Sequence, residues 1–343
     1  MHRLTTYFVV IAFIAMSTAA FAQAVRSGYS ESYLQRDIGS RAIAMGGAYT
    51  ATVGDPFAFF YNPAGLGFQD EKIKIASTYS FLEFGRVHST LAFTHSPVEN
   101  FGYGIGFNSY RSGSFIARDI RGNPLGEMSN WHYCLVGAAS YRIEFASIGV
   151  AFKYLNNNLA GSDAKADGYS FDIGAEFNVA NLFAFGISMQ NISGMMFWKG
   201  GSDERELLPY TLRAGIAMEI ALDSYSPTNI DDGFSTFYDE GAIQRYVTVY
   251  FDAVLNQHEE VPAFLLGAEI IPDDVIAFRA GLALAADDQG TYKFLPMTRW
   301  GSGISINPTF LELPFNIRLD YAVASDYISI NRIAHHLTLS TEF

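Results

Sequence analysis

The chain has 343 residues, of which 49% are apolar and 15% aromatic, while only 17% are charged, against roughly 25% in ordinary soluble domains. That balance excludes a disordered chain, and the single Cys134 excludes a disulfide framework or a multi-cysteine metal centre. A formal charge of −13 argues against nucleic acid as a partner, because neutralising phosphates needs concentrated Lys and Arg.

The one long apolar run stands at the N-terminus and reads as an address. Arg3 precedes an apolar core from Tyr7 to Met16, and small residues lead to Ala20-Phe21-Ala22, the pattern of a secretory signal peptide over residues 1–22. The core is short of the ~20 residues a spanning helix requires. The mature chain is therefore expected to begin at Gln23 and to enter a cell envelope.

Residues 23–70 follow neither strand periodicity nor a long helical one. Ser40 is placed to cap a short helix through Met45 that stops at Gly46-Gly47. Asp55 and Pro56 read as the cap and first residue of a second short helix through Tyr61. Asn62-Pro63-Ala64-Gly65 then ends it, since Pro63 disfavours a helical Asn62 and Gly65 tolerates positive φ.

From Lys72 to the end the pattern has period two. Phe101, Tyr103, Ile105 and Phe107 alternate with Gly102, Gly104, Gly106 and Asn108, and similar segments recur. The alternation predicts strands over 72–82, 86–96, 101–110, 127–142, 147–155, 166–178, 182–192, 209–221, 245–255, 263–271, 275–284, 298–307, 315–324 and 333–343. Most exceed the ~5–6 residues of globular strands and approach the ~9–11 that cross a bilayer at a tilt. Residues 114–121 are expected as an outer hairpin, and the long connection 223–244 breaks the expectation of short inner turns.

Charges fall on the parity that lacks bulky apolar groups: Asp172, Glu176, Arg213, Glu219, Arg279, Arg318 and Asp320, with Lys153, Asp252 and Glu269. A lipid-facing charge near the bilayer centre costs roughly 2–4 kcal/mol, so these side chains are expected to face a lumen. The fold class read from this is all-β: a 14-stranded antiparallel transmembrane β-barrel over residues 71–343, surrounded by outer-membrane lipid. Trp131, Tyr133, Trp300 and Tyr321 are expected as interfacial anchors. A soluble β-sandwich with its aromatics inside fits the alternation alone. The terminal Leu337, Leu339, Thr341 and Phe343 point instead to the signal by which barrel assembly machinery recognises outer-membrane chains.

An apolar, turn-rich segment between a signal peptide and such a barrel needs shelter from water. Folding into the lumen as a helical hatch is the expectation, and hanging in the periplasm the alternative. Inward-facing Gly102, Gly104, Gly106, Ala151, Gly215, Gly281, Gly301 and Gly303 would leave the hatch room against the wall.

Ser40-Arg41-Ala42 with Met45-Gly46-Gly47-Ala48, then Gly54-Asp55-Pro56 and Asn62-Pro63-Ala64-Gly65-Leu66, resemble the N-terminal signature of the PorV/PorQ family and the related FadL/toluene-transport (OmpP1/FadL/TodX) barrels. The resemblance implies a 14-stranded barrel in the bacterial outer membrane with its N-terminus inside as a hatch. In FadL-type relatives it implies passive transport of hydrophobic small molecules, fatty acids or aromatics, through a plugged lumen with lateral exit. In PorV-type relatives it implies a component of type IX secretion that binds secreted cargo proteins at the outer rim. The Asn62-Pro63-Ala64-Gly65 form is nearer the FadL type, so transport is the first expectation, secretion the second and a structural role the third. Phe57, Phe59, Phe60 and Tyr61 either line a ligand pocket or simply pack.

An enzyme is not expected. The chain has no Gly-x-Ser-x-Gly elbow, and His258-Glu259-Glu260 continues into Val261-Pro262 rather than a zinc-binding His. His335 and His336 straddle the two faces of the last strand, so neither a metal nor a cofactor is expected.

Overall fold

The computed structural model describes residues 31–162, 164–179, 182–199, 205–221, 246–286, 290–292, 298–308, 314–326 and 332–343. The expected signal peptide and the connection 223–244 lie outside the described residues.

Among the described residues there are sixteen strands: β1 (Lys74–Phe81), β2 (Val87–Val98), β3 (Phe101–Arg111), β4 (Phe115–Arg118), β5 (Pro124–Ile143), β6 (Ala146–Ala160), β7 (Lys165–Val179), β8 (Phe183–Lys199), β9 (Arg205–Leu207), β10 (Thr211–Ala221), β11 (Tyr246–Asn256), β12 (Ala263–Ile271), β13 (Ile276–Leu284), β14 (Thr298–Ile306), β15 (Asn316–Ser325) and β16 (Ile333–Glu342). Fourteen are staves of one closed antiparallel ring, because β10 pairs with β8 and β1 pairs with β16. The short β4 and β9 attach only to β5 and β8. The seam between the two ends of the barrel runs from Lys74 opposite Glu342 to Phe81 opposite His335.

Closure follows from the alternation. Ile75, Leu91, Ile105, Leu135, Val150, Phe171 and Leu339 are exposed, while Thr78, Asn108, Lys153, Asp172, Glu176 and Arg318 on the opposite parity are buried. The sandwich expectation fails on this point: the bulky groups clothe the outside and the polar groups occupy the centre. Burying the charged set is possible only because other groups from the same chain meet it there.

The strands differ from the expected ranges on one side of the ring. β5 to β8 are 20, 15, 15 and 17 residues long, and residues 114–121 supply β4, which pairs with the start of β5 as a hairpin, Phe115 opposite Met128. The end of β8 was expected as a connection. Its pairing with β7 slips twice, Tyr169 facing Met195, Phe171 facing Ile192 and Ile173 facing Met189. Each bulge inserts a residue and reverses the parity of all that follow, so a period-two scan loses the strand there. Asn191 (φ 57°) and Ser193 (φ 51°) take left-handed conformations at the slips.

Residues 31–69 lie inside the ring. A Cβ added at Gly102, Gly149, Gly174, Gly186, Gly281 or Gly301 would strike Leu66, Pro63, Asn62, Thr50, Met45 or Ile43 respectively. Those glycines belong to β3, β6, β7, β8, β13 and β14, so the segment touches the wall on opposite sides. Among the described residues, no helix is long and apolar enough to cross a membrane.

Candidate functional site

The filled bore is the site, and its contents begin with a short helix, Ser40–Ala44, capped by Gly39 without a side-chain bond. Ser40 was expected as the cap. It is instead the first helical residue and is turned to the wall: its N–H donates to Thr338 Oγ1 at 3.0 Å, and that hydroxyl donates to Ser40 Oγ at 2.8 Å. Gly46 (φ 66°) and Gly47 (φ 84°) end the helix as expected, and Gly47 N–H returns to Ala42 O at 2.9 Å. Met45, the residue between helix and turn, is wholly buried.

The expected second helix is reduced to a 3-10 turn, Ala58–Phe60. Asp55 Oδ1 does accept the Phe57 N–H at 2.9 Å, but Oδ2 is drawn away to Arg318 at 2.8 Å, tying the turn to β15. Pro56 sits in this turn. Asn62 is extended (φ −149°, ψ 109°), yet it starts another 3-10 helix, Pro63–Phe68, its Oδ1 accepting the Ala64 N–H at 3.1 Å. Gly65 does not adopt positive φ. Its missing side chain serves close approach, because a Cβ there would lie 2.8 Å from Thr52 O.

Six charged groups form a closed ring between this segment and the wall. Asp55 meets Arg41 at 3.6 Å, and Arg41 meets Glu269 at 2.6 Å. Glu269 contacts Arg279, which reaches Asp320 at 3.1 Å. Asp320 meets Arg318 at 3.0 Å, and Arg318 returns to Asp55 at 2.8 Å. Three guanidiniums alternate with three carboxylates, so the ring is balanced within itself. Burial alone would raise the Asp55 carboxyl. Arg318, Arg41 and the Phe57 N–H outweigh it and hold the group below the ordinary carboxylate value.

A second cluster holds the middle of the segment. Asp252 Oδ2 accepts the N–H groups of Tyr49 and Thr50, each at 2.9 Å, and Arg213 donates to Gly47 O at 2.8 Å. Gly186 and Gly215 stand between Glu176 and Asp252 in one row across β7, β8, β10 and β11; the Thr50 backbone fills the space at Gly186, and the Asp252 carboxylate with Thr50 Cβ fills that at Gly215. Glu176 is fully buried, with Asn62 Nδ2 at 3.5 Å. Asp172 pairs with Lys153 at 2.8 Å and accepts the Asn191 N–H at 2.9 Å, which fastens the β8 bulge. Glu219 is half-buried, the least enclosed of the expected lumenal charges.

The four aromatic residues singled out as ligand contacts are buried and close-packed. Phe59 and Phe60 stack at 4.4 Å over the surface left by Gly104 and Gly106. Tyr61 meets Tyr49 edge-on at 5.1 Å, and its hydroxyl both accepts from Ile38 N at 2.6 Å and donates to Ile38 O at 3.0 Å. Phe57 lies against Phe60 at 6.4 Å. A small cleft of mixed lining opens elsewhere, at the end of the bore where β1 stops and β14 starts, between Arg36, His88, Arg299, Asp326 and His336 on one hand and Ile43, Leu82 and Trp300 on the other.

Several wall residues that hold the segment were not singled out as site residues. Thr338, Gln190 and Ser188 bond its backbone or hydroxyls, Gln190 to Phe60 O and Ser188 to Tyr61 O, both at 2.7 Å. All three are polar residues on inward parity, but that signal marks dozens of positions alike. Glu269 and Asp252 carried the stronger signal, a charge on the inward parity.

No protein-family model matches the chain, and no curated protein matches it by sequence. Solved structures do share its architecture. The toluene transporter TbuX of Ralstonia pickettii superposes with a TM-score of 0.50 at 14% identity, covering 89% of this chain and 97% of that one. The toluene transporter TodX of Pseudomonas putida gives 0.53 at 10% identity, with 89% and 96% covered. A FadL homologue of Pseudomonas aeruginosa gives 0.52 at 11% identity, with 89% and 97% covered. The chain therefore has a FadL-like barrel fold. The PorV/PorQ side of the resemblance draws no support from these comparisons.

Proposed function

We propose that this chain is a non-enzymatic barrel of the bacterial outer membrane that lets hydrophobic small molecules, aromatics or fatty acids, cross passively. The observation that carries the reading is a bore filled by the chain's own N-terminal segment, inside a wall whose exterior is apolar. A barrel kept open for water-soluble solutes has no use for such a filling. One that admits selected apolar molecules needs a hatch that yields, and residues 31–69 are that hatch. Likeness in fold to proteins titled toluene transporters supports the same reading.

Greasy solute entering past Phe57, Phe59, Phe60 and Tyr61 would exit sideways rather than into water. Ladder pairing continues between every pair of adjacent staves, so exit requires a local opening. The double bulge of β8 is one irregular stretch of the wall: between Tyr169–Met195 and Ile173–Met189 only Phe171–Ile192 keeps its pairing. Deleting the gene and restoring it on a plasmid, with uptake of labelled toluene and oleate as readout, tests the proposal. A deletion that leaves uptake of both unchanged while secreted cargo is lost sinks it in favour of a secretion role.

A further inference from the structure

The bulge in β8 turns two consecutive side chains into the bore. In a regular strand Gln190 and Asn191 would point to opposite faces. Here both are buried, because the register with β7 slips between Met189 and Ile192. The two side chains hold different bodies. Asn191 is bonded to the wall: its N–H donates to Asp172 Oδ1 on β7 at 2.9 Å, its Oδ1 accepts from Lys153 Nζ on β6 at 3.0 Å, and its Nδ2 donates to Pro209 O, just before β10, at 3.4 Å. Gln190 is bonded to the filling: its Nε2 donates to Phe60 O at 2.7 Å and to Tyr61 O at 3.0 Å.

The turn that Gln190 grips reaches across the bore. Phe60 offers its carbonyl to β8, while its ring tip occupies the space that a Cβ at Gly106 on β3 would need. Between those two staves lie β5, β6 and β7. Ser188 holds the same turn, at Tyr61 O, from within the regular ladder. Gln190 is the last β8 residue in register with β10, opposite Thr211, and on its other edge the register with β7 breaks. A pull on the Phe60 ring at β3 is therefore delivered to the bulge.

We propose that Gln190 couples the filling to the exit: with Phe60 seated it holds the β8 bulge closed, and a solute that dislodges Phe60 releases it. The inference rests on the transport reading above and adds the regulation of its exit. Passage becomes sequential, since the wall opens only after the solute has moved the turn.

The test reads hydrogen exchange by mass spectrometry on the full barrel in phosphatidylcholine nanodiscs, following residues 57–62, 183–188 and 189–195. Gly106→Leu, which pushes on the Phe60 ring from β3, is expected to speed exchange of 189–195 about fivefold, the worth of one net hydrogen bond. Gln190→Met, similar in bulk and without the donor, should speed 189–195 by a similar factor and leave 183–188 unmoved. The two changes together should do no more than Gln190→Met alone. Additive effects, or a bulge that ignores Gly106→Leu, overturn the proposal. Toluene repeats the test without a substitution at β3: in wild type it should speed 57–62 and 189–195 together, and in Gln190→Met only 57–62. A response of 57–62 alone in wild type refutes the coupling and leaves transport standing. Silence of both stretches refutes transport, and the substitutions then decide the coupling by themselves.

Discussion

Arg318 Nη2 donates to Asp55 Oδ2 at 2.8 Å, joining residues 263 positions apart. The bond links the turn at Asp55, part of the proposed hatch, to β15 and closes the six-charge ring. Removing one partner leaves the others buried with the wrong balance, which typically costs about 3–5 kcal/mol.

Asp55→Ala should therefore loosen the hatch while the wall keeps its pairing. Limited proteolysis is expected to cut near residues 50–60 in the variant and not in wild type, with heat-modifiable gel mobility preserved. Asp55→Ala/Arg318→Gln should lose less than the sum of the two single changes, because each removes the other's stranded charge. Additive losses would mean the ring is not a coupled unit.

The same carboxyl predicts a pH dependence. Its folded pKa lies below the ordinary value of 3.8, so its stabilisation is complete above that value and is lost as pH falls through the folded one. The stability difference between wild type and Asp55→Asn should be constant from pH 8 to about 5 and shrink below about 4. Chemical denaturation of both proteins across that range measures it. A gap that widens in acid would reverse the sign of the argument.

The glycine faces of the wall can be used to displace the hatch. A Cβ at Gly301 would lie 2.1 Å from Ile43 O, and one at Gly281 the same distance from Met45 C. Neither neighbour is a flexible side-chain tip. Gly301→Leu should force the segment away and raise single-channel conductance in planar bilayers, while Gly137→Ala, where a Cβ meets nothing within 4 Å, should behave as wild type.

The exit proposed near β8 can be tested with a reversible lock. Phe171 faces Ile192 between the two slips, so Phe171→Cys/Ile192→Cys oxidised to a disulfide should cut uptake of an aromatic substrate about tenfold or more, and reductant should restore it. Uptake unchanged by oxidation would move the exit elsewhere.

Much of the wall was legible because a barrel repeats one rule: Lys153, Asp172 and Arg279 had to share a face opposite Phe152, Phe171 and Phe278. The rule fails where a bulge changes phase, as after Met189, and it is silent on partners. Nothing local to Arg41 or Asp55 announces Glu269 or Arg318, since ion pairing between distant segments depends on where the ring closes. The hatch turns came out shorter than their cap residues suggested for a related reason. Ser40 and Asp55 have side-chain oxygens that the wall claims, and a cap bonded outward cannot also extend a helix.

The bond between Ser40 and Thr338 has a bearing on biogenesis. The two residues are 298 positions apart, so the segment that carries Ser40 cannot complete its contacts until β16 is in place. Circularising the staves first would shut it out, and seating it first would leave it bare to solvent. Nucleation around the segment, with β16 arriving as the final stave, would satisfy both demands and would make the stopper a template for the cylinder that encloses it.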